Sequence, residues 1–158
     1  MLHSFTGGAD GANPVAGLIR DSNGNLYGTT EYGGASNNGI VFKVDVKKQE
    51  TILYTFTGGA DGGNPAAGLI RDADGNLYGT TEYGGASNNG VVFKVDAKQQ
   101  ETVLYSFTGG ADGANPVAGL IRDASGNLYG TTSTGGNGVP DCVPFTQSGC
   151  GVVFKLTP

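Results

Sequence analysis

The chain has no tryptophan, a single histidine, a single methionine and two cysteines among its 158 residues. Each scarcity removes a class of chemistry. With His3 alone, no Ser-His-Asp set can be assembled, and no other catalytic residues are expected. Cys142 and Cys150 have no further Cys or His to complete four ligands, so neither a metal site nor a cofactor is expected. Basic residues are sparse too. Nine Lys and Arg against 14 Asp and Glu leave a net charge of −5, without the concentrated basic face that nucleic acid requires. No apolar run approaches the roughly 20 residues that span a bilayer, so no membrane partner is expected. Met1 leads directly into repeated sequence, so no export signal is expected within these residues. The two cysteines bracket one short insertion. A Cys142–Cys150 bridge would add roughly 2–3 kcal/mol and imply an oxidising compartment, with two free thiols as the alternative.

What is present is repetition. A stretch of about 51 residues is written three times. Phe5, Phe56 and Phe107 fall in register, as do Asn13, Asn64 and Asn115, and Gly-Asn-Leu-Tyr-Gly-Thr-Thr recurs at Gly24 to Thr30, Gly75 to Thr81 and Gly126 to Thr132. The 30 glycines sit at fixed places in each copy, which marks turns rather than low complexity. A unit that recurs at this period relies on its neighbours to bury its apolar surface.

Each unit holds four short apolar-rich segments. In the first copy these are Val15–Arg20, Asn25–Thr30, Gly39–Val44 and Thr51–Phe56. Pro14 starts the first segment, and Asn23-Gly24 reads as a tight hairpin in which both residues tolerate positive φ. No segment carries a 3.6-residue apolar period, so the chain is all-β. Ile40, Phe42 and Val44 alternate with an equally apolar Val41. In the fourth segment Ile52, Tyr54 and Phe56 share a face, with Leu53 opposite. Sheets apolar on both faces need cover on both sides. Four strands per unit, a fixed period and two-sided burial predict a β-propeller of three four-stranded blades. A β-sandwich would keep one polar face and gives no reason for strict repetition.

The pattern Gly-Leu-Ile-x-Asp-x-x-Gly-Asn-Leu-Tyr-Gly-Thr-Thr, followed by Gly-Gly and Gly-x-Val-Phe-Lys, resembles the GloVer tandem-repeat family of bacterial proteins over the whole chain, and more loosely NHL-type blades. The resemblance implies repeat architecture and frequent export to the cell surface. It brings no activity and no catalytic residues. With the cysteine pair, it favours an extracellular or cell-surface location.

Propellers close with about four to eight blades, so three leave two apolar blade faces open. Residues 1–13 read as an outer strand, followed by blade 1 (14–64), blade 2 (65–115) and blade 3 (116–158), the last with a loop insertion at 137–149. Leu2 to Thr6 aligns with Leu53 to Thr57, whereas the chain ends on a third strand, Gly151 to Leu156. The expectation is half of a six-bladed ring, closed by dimerisation with N-terminal strand exchange, and Leu2, Phe5, Val153 and Phe154 as assembly residues. Nine blades from three chains is the next possibility, and a piece of a longer repeat protein is a third.

Several residues could form a ligand face. Asp10, Asp61 and Asp112 could ring the axis with Asn13, Asn64 and Asn115 and hold a cation, although solvated turn acids are the simpler reading. Tyr32 and Tyr83 could stack on sugar rings, with Asn37, Asn38, Asn88 and Asn89 as hydrogen-bond partners. The competing reading gives Asn and Gly to turns and Tyr to packing between blades. Phe145 lies in the insertion, where a long loop on a rigid scaffold often carries function. Asp72-Ala-Asp-Gly-Asn76 resembles a calcium loop, but it is one residue short and lacks the downstream Glu, which favours a hairpin turn. The function expected is therefore a non-enzymatic, self-assembling structural repeat protein, with a glycan-binding or surface-ligand module as the alternative.

Overall fold

The computed structural model describes residues 1–137 and 149–158. Among these residues there are eleven strands and no helix. The first sheet has the order β1 (Ile19–Arg20), β2 (Leu26–Thr30), β3 (Ile40–Val44) and β4 (Glu50–Thr55). The second repeats it with β5 (Ile70–Arg71), β6 (Leu77–Thr81), β7 (Val91–Val95) and β8 (Glu101–Ser106). The third holds β9 (Ile121–Arg122), β10 (Leu128–Thr131) and β11 (Val153–Leu156), and no fourth strand among the described residues. All pairings are antiparallel.

The innermost strand is shorter than the expected Val15–Arg20. Pairing survives only at Ile19 and Arg20, against Tyr27 and Leu26, and resumes as a single bridge between Ala12 and Tyr32. In between, Asn13 takes a left-handed φ of 56° and Pro14 has no N–H to give to a ladder. The chain therefore leaves the sheet and returns to it. The hairpin at Asp21–Asn25 also differs from expectation. Only Gly24 has positive φ, at 88°, while the Asp21 carboxylate accepts hydrogen bonds from the amides of Asn23 and Asn25 and the hydroxyl of Tyr27. That carboxylate, rather than an Asn-Gly pair, sets the turn.

β3 and β4 contain a bulge. Val41 pairs with Tyr54 but Phe42 pairs with Ile52, leaving Leu53 as the extra residue. Leu53 and Tyr54 consequently both turn toward the second sheet, while Ile52 packs on the opposite face with Phe42. This corrects the expected face of Ile52, Tyr54 and Phe56. The same shift recurs between Val92 and Phe93.

The core lies between sheets. Tyr27, Val41 and Phe56 from the first unit pack against Leu69, Leu77, Val91, Phe93 and Val95 of the second. Tyr78, Val92 and Phe107 pack against Leu120, Leu128 and Phe154 in the same way. Phe56 meets Phe93 edge-on at 5.0 Å, and Phe107 meets Phe154 at 5.1 Å. Each outer strand thus drives a phenylalanine under the following blade. Glycine makes room for the receiving ring, since a Cβ on Gly79 would lie 2.7 Å from Phe93 Cζ.

Candidate functional site

The acids expected to ring an axis are each tied to their own turn. The Asp61 carboxylate accepts from the Thr57 amide and hydroxyl and from the Tyr54 hydroxyl, and Asp112 does the same with Thr108 and Tyr105. Asp10 accepts from the Thr6 amide and hydroxyl, and His3 stands where the other two units have the tyrosine. Among the described residues, no three His, Cys, Asp or Glu side chains converge as metal ligands. The calcium-loop candidate is likewise a turn, with the Asp72 carboxylate engaged by Asn76 and by the Tyr78 hydroxyl at 2.9 Å.

Asn64 and Asn115 join neighbouring units. Their side-chain amides donate to the carbonyls of Glu31 (3.2 Å) and Glu82 (3.1 Å), and all three equivalents, Asn13 included, hold left-handed φ. Asn37 and Asn88 accept from the amides of Gly33 and Gly84, and Asn38 donates to the carbonyls of Ser36 and Thr57. Asn89 lies against Gly109 as Asn38 does against Gly58. These amides serve the loops.

Tyr32 and Tyr83 are different. They remain 38% and 43% exposed, whereas Tyr27 and Tyr78 are buried between sheets. A hydrogen bond to Glu31 raises the Tyr32 phenol above its ordinary pKa, and Glu82 does the same for Tyr83. In the third unit Thr134 takes this place and donates to Asn115. Phe145 and Cys142 lie outside the described residues. Cys150 is disulfide-bonded.

One group was missed from sequence. Glu101 is sunk beside Asp61 with one oxygen lacking a protein hydrogen-bond partner. Burial, helped by the Asp61 charge, pushes it up to about 7. Glu50 is its equivalent, raised by burial and opposed by His3, whose Nε2 lies 3.8 Å from Glu50 and 3.7 Å from Asp10. The recurrence of Glu at the head of both outer strands was the available signal.

The two ends of the array carry the largest departure from the repeat. Val41 and Val92 are fully buried, yet the equivalent Val153 is 82% exposed. Leu69 and Leu120 are 3% and 4% exposed, yet the equivalent Leu18 is 53% exposed. A groove of about 420 Å³ runs along β11, lined by Tyr105, Asp112, Val153 and Lys155, where a fourth strand would pair. A second, of about 440 Å³, opens on the far side of the first sheet between Leu2, Phe5, Leu18, Leu26 and Phe42. Phe5 docks on Phe42 at 5.1 Å, as Phe56 docks on Phe93. Phe154 packs inward on Phe107 and, only half-buried, also lines the groove along β11, whereas its equivalent Phe93 is fully buried.

Blades of this form, packed through Phe and Leu from one unit to the next, define a propeller repeat module. The chain belongs to the Gloeobacter/Verrucomicrobia repeat family, which it matches over residues 1–158. Among curated proteins none matches. Among solved structures, it is similar to a luciferin-regenerating enzyme at 18% identity and a TM-score of 0.53, over 90% of this chain and 44% of that one. It is also similar to a candidate gluconolactonase at 17% identity and a TM-score of 0.47, over 89% and 47% of the two chains. The chain therefore spans less than half the length of the solved structures it matches.

Proposed function

We propose that this chain is a self-assembling structural repeat protein without catalytic activity. Two copies close one six-bladed ring, and the Leu2–Thr6 segment of each completes the last blade of the other. The observation that carries this reading is the exposure of Val153 and Leu18, at positions buried everywhere else in the array. An apolar surface that fits a neighbour inside the chain fits the same neighbour from another chain. The length relation agrees, since 90% of this chain covers 44% of a structure with the same fold. In the groove along β11, the pairing of β3 with β4 sets the register: Ser4 opposite Val152 and His3 opposite Val153. Light scattering at micromolar concentration tests the proposal. The expected mass is twice the 15.9 kDa of one chain. Three times that mass would select a nine-bladed ring, and a stable single chain would overturn the assembly.

A second reading rests on the exposed rings of Tyr32 and Tyr83. These could bind a glycan or other surface ligand on one face of the ring, with two such tyrosines from each copy adding through multivalency. Binding on a glycan array that is lost in a Tyr32→Ala, Tyr83→Ala chain would favour it.

A further inference from the structure

The two closed interfaces are built from the same contacts, and each contact has one half left over at an open end. Across the first interface the Thr29 hydroxyl donates to the carbonyl of Ala67 at 3.2 Å, and Thr80 meets Ala118 in the same way across the second. The guanidinium of Arg71 lies 5.6 Å above the ring of Tyr27, and that of Arg122 lies 5.9 Å above Tyr78. Val41 shares a core with Leu69, and Val92 with Leu120. The unused halves are Thr131, Tyr129 and Val153 on the last blade and Ala16, Arg20 and Leu18 on the first. At Tyr129 the place of the missing arginine is filled from within the blade by Lys155, whose Nζ sits 5.7 Å from the ring.

Resting on the assembly proposed above, we infer that the open faces of two copies meet in the register of the closed interfaces. Leu18 of one copy covers Val153 of the other. Arg20 stacks over the other copy's Tyr129 and displaces Lys155, and the Thr131 hydroxyl donates to the carbonyl of Ala16. The occupant is a second copy because its first blade supplies every missing half at once, in the order and spacing of the chain. Arg at the stacked position gives a flatter and less strongly hydrated cation than Lys, which favours closure over the internal substitute. Each junction sets the first face of one copy on the last face of the other, and the two-fold axis relates the two junctions, so that together they close the ring.

A charge-pair experiment tests the contact. Both side chains are exposed in the single chain, so charging them is compatible with folding, and circular dichroism checks this. Leu18→Asp and Val153→Lys should each shift the full-length protein to single-chain mass, with at least a tenfold weaker association. Mixing the two variants in equal amounts should restore the doubled mass, because one junction is native and the other pairs the introduced carboxylate with the introduced ammonium. A chain carrying both substitutions should also restore it, without mixing. If the unaltered protein has doubled mass but neither rescue occurs, the register is wrong and the assembly stands. If the unaltered protein runs as a single chain, the assembly itself fails.

Discussion

Side-chain carboxylates do two opposite jobs in this molecule. Asp21, Asp72 and Asp123 organise the hairpin between the first two strands of each unit, and hydrogen bonds from Asn and Tyr hold all three below the ordinary carboxylate range, Asp123 at about 2. A depressed pKa contributes stability that is present above the unfolded value and lost as pH falls through the folded one. Replacing Asp72 with Ala strands the Tyr78 hydroxyl and the Asn76 amides, and should cost roughly 1–3 kcal/mol in urea denaturation. Glu101 acts in the other direction. Raised to about 7 by burial and by Asp61, it binds its proton more tightly in the folded state, so stability declines as pH climbs from the ordinary Glu range toward 7. Glu101→Gln should flatten that decline and raise the melting temperature at pH 8 by roughly 2–4 °C. An unchanged pH profile would place the proton elsewhere.

At the scale of strands and turns, glycine at mid-strand and lysine at a turn invite opposite substitutions. Gly79 lies in β6 directly beneath the Phe93 ring, with Leu69 at 2.9 Å from a built Cβ. Gly79→Ala should cost roughly 1–3 kcal/mol through overpacking, read as a lower denaturation midpoint. Lys48 holds a φ of 66° in a turn that copies the Asp21 hairpin, where Gly24 occupies the same place. Lys48→Gly should relieve about 1 kcal/mol of left-handed strain. The strands themselves were legible because β-branched and aromatic residues alternate between Gly and Asn turns. The bulge at Leu53 was not, since Ile52, Leu53 and Tyr54 are all apolar and either register buries them. The inner strand is shorter than its apolar run for a related reason: Val15 to Leu18 is apolar and small enough for an innermost strand, and the left-handed Asn13 beside Pro14 takes it out of the ladder. In the loops, Asn37 and Asn38 suit a sugar or a turn equally by composition. The structure gives their amides to Gly33, Ser36 and Thr57, while leaving the rings of Tyr32 and Tyr83 open.

For the whole molecule, the open faces could be counted from the repeats alone, because three units present two unmatched sides whatever their detail. Their energetic weight depends on whether closure occurs between chains or within one. Between chains, the folded ring competes with dilution, so the melting temperature of the three-unit chain should rise with concentration. Within a chain, the second half is present at an effective concentration set by the linker, in the millimolar range for short flexible segments. The repeat itself supplies that linker. Leu156 is equivalent to Val44 and Leu2 to Leu53, so two copies joined through the stretch from Lys47 to Thr51 reproduce the native turn between third and fourth strands. Such a duplicated chain should run at its own single-chain mass. It should melt above the three-unit chain, at a temperature that does not change on dilution. Scanning calorimetry across a hundredfold concentration range compares the two. A three-unit chain whose melting is equally indifferent to dilution would mean that its open faces are stable in water, and the ring would lose its physical reason to form.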